Sequence, residues 1–98
     1  MDNTDTLILV VEDEREQREI IVSLLLASSY QVISADCVEQ AIVMLKDHPV
    51  DVIFSDWKLG KLSGIDLLNY VKNPNTKKLT HQHGFIIATA HGTISHAV

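Results

Sequence analysis

Carboxylate side chains follow two apolar stretches of the sequence, at the points where those stretches end. Glu12 and Asp13 come directly after LILVV at residues 7–11, and Asp56 comes directly after VDVIFS at residues 50–55. If these stretches form neighbouring parallel strands, their carboxyl ends meet at one edge of a sheet, so the three carboxylates converge there. Three negative charges so close together repel one another unless a cation joins them. Oxygen ligands with room for water suit Mg²⁺ or Mn²⁺.

A carboxylate held beside such an ion can attack phosphorus and form an aspartyl phosphate. A plainer interpretation is that acidic residues after strands are common in loops and often cap the next helix. Glu12 and Asp13 alone favour capping, and Asp56 alone is uninformative. Their joint placement after two apolar stretches, with Thr89 at the end of a third, favours a site.

The elements that would position these carboxylates alternate between strand and helix. Apolar runs, typical of strands buried on both faces of a parallel sheet, predict strands at residues 7–11, 30–35, 50–55 and 85–88. Helical spacing predicts a first helix over residues 14–28, a second that ends at His48-Pro49, and a third that begins at Gly64. This alternation predicts a parallel sheet covered by helices on both faces.

Each predicted helix has an apolar face. The faces comprise Ile21, Leu24, Leu25 and Ser28 on the first helix, Val38, Ala41, Ile42 and Leu45 on the second, and Ile65, Leu67, Leu68 and Val71 on the third. Asp36 and Glu39 have the spacing of a capping box for the second helix. Residues 56–63 are predicted to be a loop, and Thr93 to cap a last helix of which residues 94–98 remain.

Composition excludes several classes of protein. The 98 residues suffice for one domain, assigned here to residues 1–98. The 13 acidic and 8 basic residues give a net charge of −5, which argues against nucleic-acid binding. The single cysteine, Cys37, excludes an intrachain disulfide. Because no apolar stretch could span a membrane and the N-terminus does not resemble a signal peptide, we expect a cytoplasmic protein that binds no membrane.

Over about residues 7–91 the sequence resembles the receiver domain of bacterial two-component response regulators. The resemblance is carried by LILVVEDE with Arg18 beyond it, by SADCVEQAIVMLKDHPVDVIFSDWKLGKLSGIDLL, and by FIIATAHG. It implies an α/β, flavodoxin-like (CheY-like) doubly wound parallel sheet with strand order 2-1-3-4-(5). We expect this fold to be C-terminally incomplete, because the family's fifth strand, the lysine on it and the fifth helix would follow Val98. Where the family has a glycine after the first helix, this chain has Ser28-Ser29.

The resemblance assigns roles to the acidic residues. Asp56 matches the phosphoacceptor of the family. Glu12, Asp13 and Asp56 match the carboxylates that hold Mg²⁺ (or Mn²⁺), and Lys58 matches the position whose backbone carbonyl also binds the metal.

Further residues match positions around the phosphorylated site. Thr89 matches the hydroxyl residue that turns toward the phosphoryl group, and Ala90 matches its small neighbour. Gly64 matches the glycine that closes the loop after the acceptor. Trp57, next to the acceptor, is interpreted as a residue at the cleft mouth, although a partly exposed aromatic without a role is the simpler alternative.

The resemblance implies a signalling domain that takes a phosphoryl group from a sensor histidine kinase, a histidine phosphotransfer protein or a small phosphodonor. It would then switch a partner-binding surface. An inert pseudo-receiver remains an alternative, as does an Asp-nucleophile phosphohydrolase, although the second Asp usual in such hydrolases is replaced by Lys58. We also expect residues 85–88 to be the outer strand of a four-stranded sheet, so that the chain could form a homo-oligomer through this edge.

Overall fold

Strands and helices alternate along the chain in the computed structural model, which describes residues 3–56, 58–59, 62–72, 84–88 and 94–97, with side chains for residues 4–56 and 65–72. A short 3-10 helix at Asn3–Asp5 precedes the first strand. The strands are β1 (Leu7–Val11), β2 (Gln31–Ala35), β3 (Val52–Asp56), β4 (Lys58–Leu59), β5 (Leu62–Ser63), β6 (Gly84–Ala88) and β7 (Ile94–Ala97). The helices are α1 (Arg15–Ala27), α2 (Val38–Asp47) and α3 (Gly64–Lys72).

The main sheet has five strands in the order β2-β1-β3-β6-β7. Its first four strands are parallel, so the predicted order of four parallel strands is confirmed. The register pairs Val11 with both Ala35 and Ser55, and it pairs Asp56 with Ala88. The ends of β1 and β3 therefore lie side by side at the carboxyl edge of the sheet.

The central strands are buried on both faces. Leu9, Val10 and Val11 are successive residues whose side chains alternate between the faces, yet all three are fully buried. This explains why β1 is a continuous apolar run rather than an alternating one. Burying a side chain of this size contributes roughly 1.5–3 kcal/mol, so β1 holds the sheet centre in place.

Helices α2 and α3 pack on this core as their sequences predict. Val38, Ala41 and Leu45 of α2 are buried, as is Leu67 of α3. Ile42, Leu68 and Val71 are partly buried against the same cluster. Ile65 is the exception, since it is 44 % exposed.

Helix α1 differs, because none of its residues is buried. Of its predicted apolar face, Ile21 and Leu25 are half-buried, whereas Leu24 is 64 % exposed and Ser28 is exposed too. Beyond the helix, Ser29 has a φ of 72°, the left-handed region that favours glycine. The family's glycine is thus replaced here by a residue that still adopts the turn conformation.

The capping-box prediction for α2 is wrong. The N-cap is Cys37 rather than Asp36, and it makes no side-chain cap hydrogen bond. The Asp36 N–H instead donates to Gln40 Oε1 at 3.4 Å. With the helix starting one residue later than predicted, the Asp36 carboxylate lies outside the position from which a cap reaches the first free N–H groups.

Two predictions for the later part of the chain are also wrong. The helix predicted over residues 94–98 is not formed at residues 94–97, because Ile94–Ala97 is strand β7, antiparallel to β6. A helix this short has too few hydrogen bonds to offset its nucleation cost, whereas a strand pairs at once with the edge of β6. Strand β6 is therefore not the outer strand, and the sheet does not stop at four strands. Thr93, the predicted cap, lies outside the described residues.

The predicted loop over residues 56–63 contains regular structure. Residue 56 ends β3, and β4 pairs with β5 as a small antiparallel hairpin outside the main sheet. Among the helices that the structure describes, none is long and apolar enough to cross a membrane.

Candidate metal centre

The carboxyl ends of β1 and β3 bring three acidic residues together. Glu12 and Asp13 follow the last residue of β1, and Asp56 is the last residue of β3. Each offers a carboxylate oxygen, and these oxygens lie within 4.8 Å of one another. This closeness confirms the predicted convergence, and it follows from the parallel pairing of β1 with β3, which places their carboxyl ends side by side.

Exposure differs among the three carboxylates. Glu12 is buried, with 8 % of its surface exposed, whereas Asp56 is half-buried and Asp13 is exposed. Glu12 therefore lies on the buried side of the cluster, and Asp13 lies on its solvent-exposed side. A ligand from solvent can approach from the exposed side.

The inner carboxylate is electrostatically strained. Burial, a hydrogen bond with the Asp13 side chain and the negative charges of Asp56 and Asp13 together raise the pKa of Glu12 from 4.5 to about 7. The Glu14 N–H, which donates to the Glu12 carboxylate at 3.1 Å, opposes this rise. Near neutral pH the Glu12 carboxylate is therefore only partly ionised, and a bound cation would favour its ionised form.

Three hydrogen bonds hold the segment that carries the acidic pair. The Glu12 N–H donates to the Ala35 carbonyl at 3.1 Å, which continues the β1–β2 pairing by one residue. The Glu14 N–H donates to Glu12 Oε2. Arg18 Nη1 donates to the Glu12 carbonyl at 2.9 Å. Sequence reasoning noted Arg18 only as part of the resemblance and gave it no role, although its position in the first turn of the next helix is the signal that could have suggested one.

Ser55 is a second residue that sequence reasoning missed. It is fully buried, and its hydroxyl donates to the Asp56 carbonyl at 2.9 Å. A hydroxyl within an otherwise apolar strand, directly before the acidic residue, was the available signal. The contact satisfies a polar atom that would otherwise be costly in the sheet interior.

The donor set fits a small divalent cation. Carboxylate oxygens are the ligands that Mg²⁺ and Mn²⁺ prefer. The three residues each offer an oxygen close enough to the others for one ion to contact all three. An ion would also replace the proton that the raised pKa of Glu12 retains.

The remaining predicted site residues are only partly described. Lys58 lies in β4 and Gly64 begins α3, but their side-chain surroundings are not described. Trp57, Thr89 and Ala90 lie outside the described residues. The predicted roles of all five stay predictions.

Comparison with known proteins places this arrangement in a family. The family described as "Response regulator receiver domain" matches residues 8–98. The phosphate regulon transcriptional regulatory protein PhoB of Pseudomonas aeruginosa is 35 % identical over 85 residues, which are 87 % of this chain and 36 % of PhoB. The probable chemotaxis protein CheY of Rhizobium etli is 34 % identical over 87 residues, which are 87 % of this chain and 64 % of CheY.

A solved structure has the same fold. The response regulator protein TrrA of Thermotoga maritima, in complex with Mg²⁺–BeF, superposes with a TM-score of 0.75 at 24 % identity, over 87 % of this chain and 70 % of that one. The chain thus spans about one third of the length of PhoB and less than two thirds of the length of CheY. With its family match, its strand order and its three clustered carboxylates, the chain belongs to the receiver domains of two-component response regulators.

Proposed function

We propose that Asp56 accepts a phosphoryl group in a Mg²⁺-dependent reaction and that the chain acts as a phosphorylated switch. The observation that carries the proposal is the cluster of Glu12, Asp13 and Asp56 at the end of β1 and β3 in a receiver domain. The fold neighbour TrrA is described in complex with Mg²⁺–BeF. A Mg²⁺–BeF complex of a protein with the same fold supports the proposal of a Mg²⁺-dependent reaction here.

The reaction is a transfer to the Asp56 carboxylate. One of its oxygens forms a bond to phosphorus while the phosphorus–nitrogen bond of a donor phosphohistidine breaks. The donor imidazole leaves with the electron pair and takes up a proton, and an acyl phosphate remains on Asp56. Asp56 is half-buried at the end of β3, so its backbone is held in the sheet while its side chain remains partly accessible to a phosphodonor.

Glu12, Asp13 and Asp56 would hold the ion, together with the Lys58 carbonyl. When bound, Mg²⁺ neutralises charge on the phosphoryl oxygens and reduces the repulsion between them and the carboxylates. The chain itself contributes the fixed positions of these oxygens and a Glu12 carboxylate held by the Glu14 N–H. We propose that the donor is a sensor histidine kinase or a histidine phosphotransfer protein.

The test is phosphorylation of the full chain with acetyl phosphate and Mg²⁺, followed by intact-mass measurement. The unaltered chain should gain the mass of one phosphoryl group, and chelation of Mg²⁺ should abolish the gain. Asp56→Asn is nearly isosteric and should prevent labelling. Asp51→Asn is the matched control, because Asp51 lies just before the other end of the same strand.

Each result separates the alternatives. Labelling that persists in Asp56→Asn would place the acceptor elsewhere. Rapid release of inorganic phosphate without a stable mass gain would indicate a phosphohydrolase, and no reaction at all would indicate an inert pseudo-receiver. Both results would contradict the proposal.

We further propose that Thr89 and Ala90 couple the phosphoryl group to a partner-binding surface. Thr89→Ala should therefore leave labelling of Asp56 intact while reducing phosphorylation-dependent binding of the partner. Ser95→Ala, another hydroxyl substitution nearby in the sequence, is the control. If Thr89→Ala and the unaltered chain respond alike to phosphorylation, the coupling role is wrong.

A further inference from the structure

Two arginines of α1 are used in different ways. Arg15 and Glu19 form an exposed pair, with Nε and Oε1 3.1 Å apart and side chains 81 % and 64 % exposed. Arg18, one turn along, is half-buried and donates from Nη1 to the Glu12 carbonyl at 2.9 Å. Arg15 therefore makes a surface contact within its own helix, whereas Arg18 reaches back to the segment that carries the acidic pair.

The Glu12 carbonyl lies in the segment between β1 and α1, outside both elements. Strand β1 ends at Val11 and α1 begins at Arg15, and the first hydrogen bond of the helix runs from the Arg18 N–H to the Glu14 carbonyl. Among the described residues, the hydrogen bond shown for the Glu12 carbonyl is the one from the Arg18 side chain. A charged donor makes such a bond stronger than one between neutral groups.

This hydrogen bond also sets the direction of the next residue. The peptide unit that joins Glu12 to Asp13 is planar, so holding its carbonyl oxygen also holds the Asp13 N–H and the line along which the Asp13 backbone continues. The side chain of Asp13 is exposed, and within the cluster it shares a hydrogen bond with the Glu12 side chain. The peptide plane determines where the Asp13 backbone lies, and so the point from which this side chain reaches Glu12 and Asp56.

We infer that Arg18 is a positioning residue for the metal centre: it holds the Glu12–Asp13 peptide so that both carboxylates face Asp56. The metal-binding part of this inference rests on the proposed function. Arg18 acts through the main chain of Glu12 and is not one of the carboxylates that would hold the ion.

Loss of the Arg18 charge and loss of its positioning contact should change the Mg²⁺ affinity in opposite directions. The positive charge of Arg18 lies beside a cation site and repels a cation, so its removal by itself would tighten Mg²⁺ binding. Loss of positioning would weaken binding instead. The direction of the change in affinity therefore separates a positioning residue from a mere neighbouring charge.

The experiment compares Arg18→Met with Arg15→Met in the full chain. Methionine keeps most of the apolar stem but removes the donors and the charge. By calorimetric titration with Mg²⁺, Arg18→Met should bind about tenfold more weakly, the loss expected for one charge-assisted hydrogen bond. Arg15→Met should stay within about twofold of the unaltered chain. Arg18→Lys, which can still donate to the carbonyl, should restore part of the affinity.

A second measurement needs no metal. In the metal-free chain, Arg18→Met should shift the amide resonances of Asp13 and Glu14 and speed hydrogen exchange at the Glu14 N–H, whereas Arg15→Met should do neither. Unchanged Asp13 and Glu14 amides, or Mg²⁺ affinity that stays equal or rises in Arg18→Met, would overturn the inference. If the unaltered chain binds no Mg²⁺, the proposed function fails, and the amides alone decide whether Arg18 holds the peptide.

Discussion

At the amino ends of β1 and β3, an aspartate is fully engaged by the backbone. The Leu7 N–H donates to Asp51 Oδ2 at 2.9 Å, and the Asp51 N–H donates to the Leu7 carbonyl at 2.8 Å. At the carboxyl ends of the same strands, Glu12, Asp13 and Asp56 lie within 4.8 Å of one another, and burial raises the pKa of Glu12 to about 7. One end joins the two strands, and the other concentrates negative charge.

This difference indicates where the fold gives up stability for function. Asp51 and Glu12 each accept a backbone N–H, which stabilises the folded state. Glu12, however, is buried beside two other carboxylates, and this destabilises the folded state. Neutralising an acidic residue should therefore have opposite effects at the two ends of the same pair of strands.

The largest effect should come from Asp51→Ala. Removing a charged acceptor from a part-buried N–H should lower the free energy of unfolding by about 2–3 kcal/mol. Urea denaturation measures this loss, and Asp51→Asn, which keeps an acceptor oxygen, should lose less. The Mg²⁺ affinity of Asp51→Ala should not change, because the site is at the other end of the strands. A weakened metal site in this variant would contradict the separation of the two ends.

The pH dependence of stability should show the strain at Glu12. Its pKa is about 7 in the folded chain and 4.5 as the ordinary value, so the folded state binds the proton more tightly. Stability is thus greatest below about 4.5 and is lost as the pH rises from about 4.5 through about 7. Urea titrations at a series of pH values measure the fall. Saturating Mg²⁺ should remove it, because the ion favours the ionised carboxylate.

The variant Glu12→Gln should make the chain more stable at pH 8. Glutamine is neutral and of similar shape, and its carbonyl oxygen can still accept the Glu14 N–H, so the free energy of unfolding should rise by about 1 kcal/mol. The difference from the unaltered chain should vanish below pH 4.5, where both side chains are neutral. Mg²⁺ affinity should fall in the same variant. A loss of stability at pH 8 would show that the Glu12 carboxylate is not strained.

The smallest effect is expected at Asp36. This residue also follows a strand at the carboxyl edge, but it lies after β2, is exposed, and is not among the clustered carboxylates. Asp36→Asn should change the free energy of unfolding by less than about 0.5 kcal/mol and leave Mg²⁺ binding unaltered. A large effect would mean that any carboxylate at this edge of the sheet affects stability or Mg²⁺ binding, and not only the carboxylates after β1 and β3.

The sequence by itself determined which residues meet at the site. The continuous apolar runs before Glu12 and Asp56 predicted buried parallel strands, and parallel strands place their carboxyl ends at one edge. The apolar face of α2 was also readable, since Val38, Ala41 and Leu45 follow helical spacing and all three are buried. These features depend on local periodicity and on the few ways in which alternating strands and helices can pack.

The tertiary structure alone decided what surrounds those residues. The raised pKa of Glu12 depends on how deeply it is buried and on charges from another strand. The reach of Arg18 to the Glu12 carbonyl depends on how α1 leaves β1. Likewise, residues 94–97 became a strand because β6 offered an edge to pair with, which no local pattern contains. Periodicity is a property of neighbouring residues, whereas burial, charge proximity and strand pairing are properties of segments that meet only when the chain has folded.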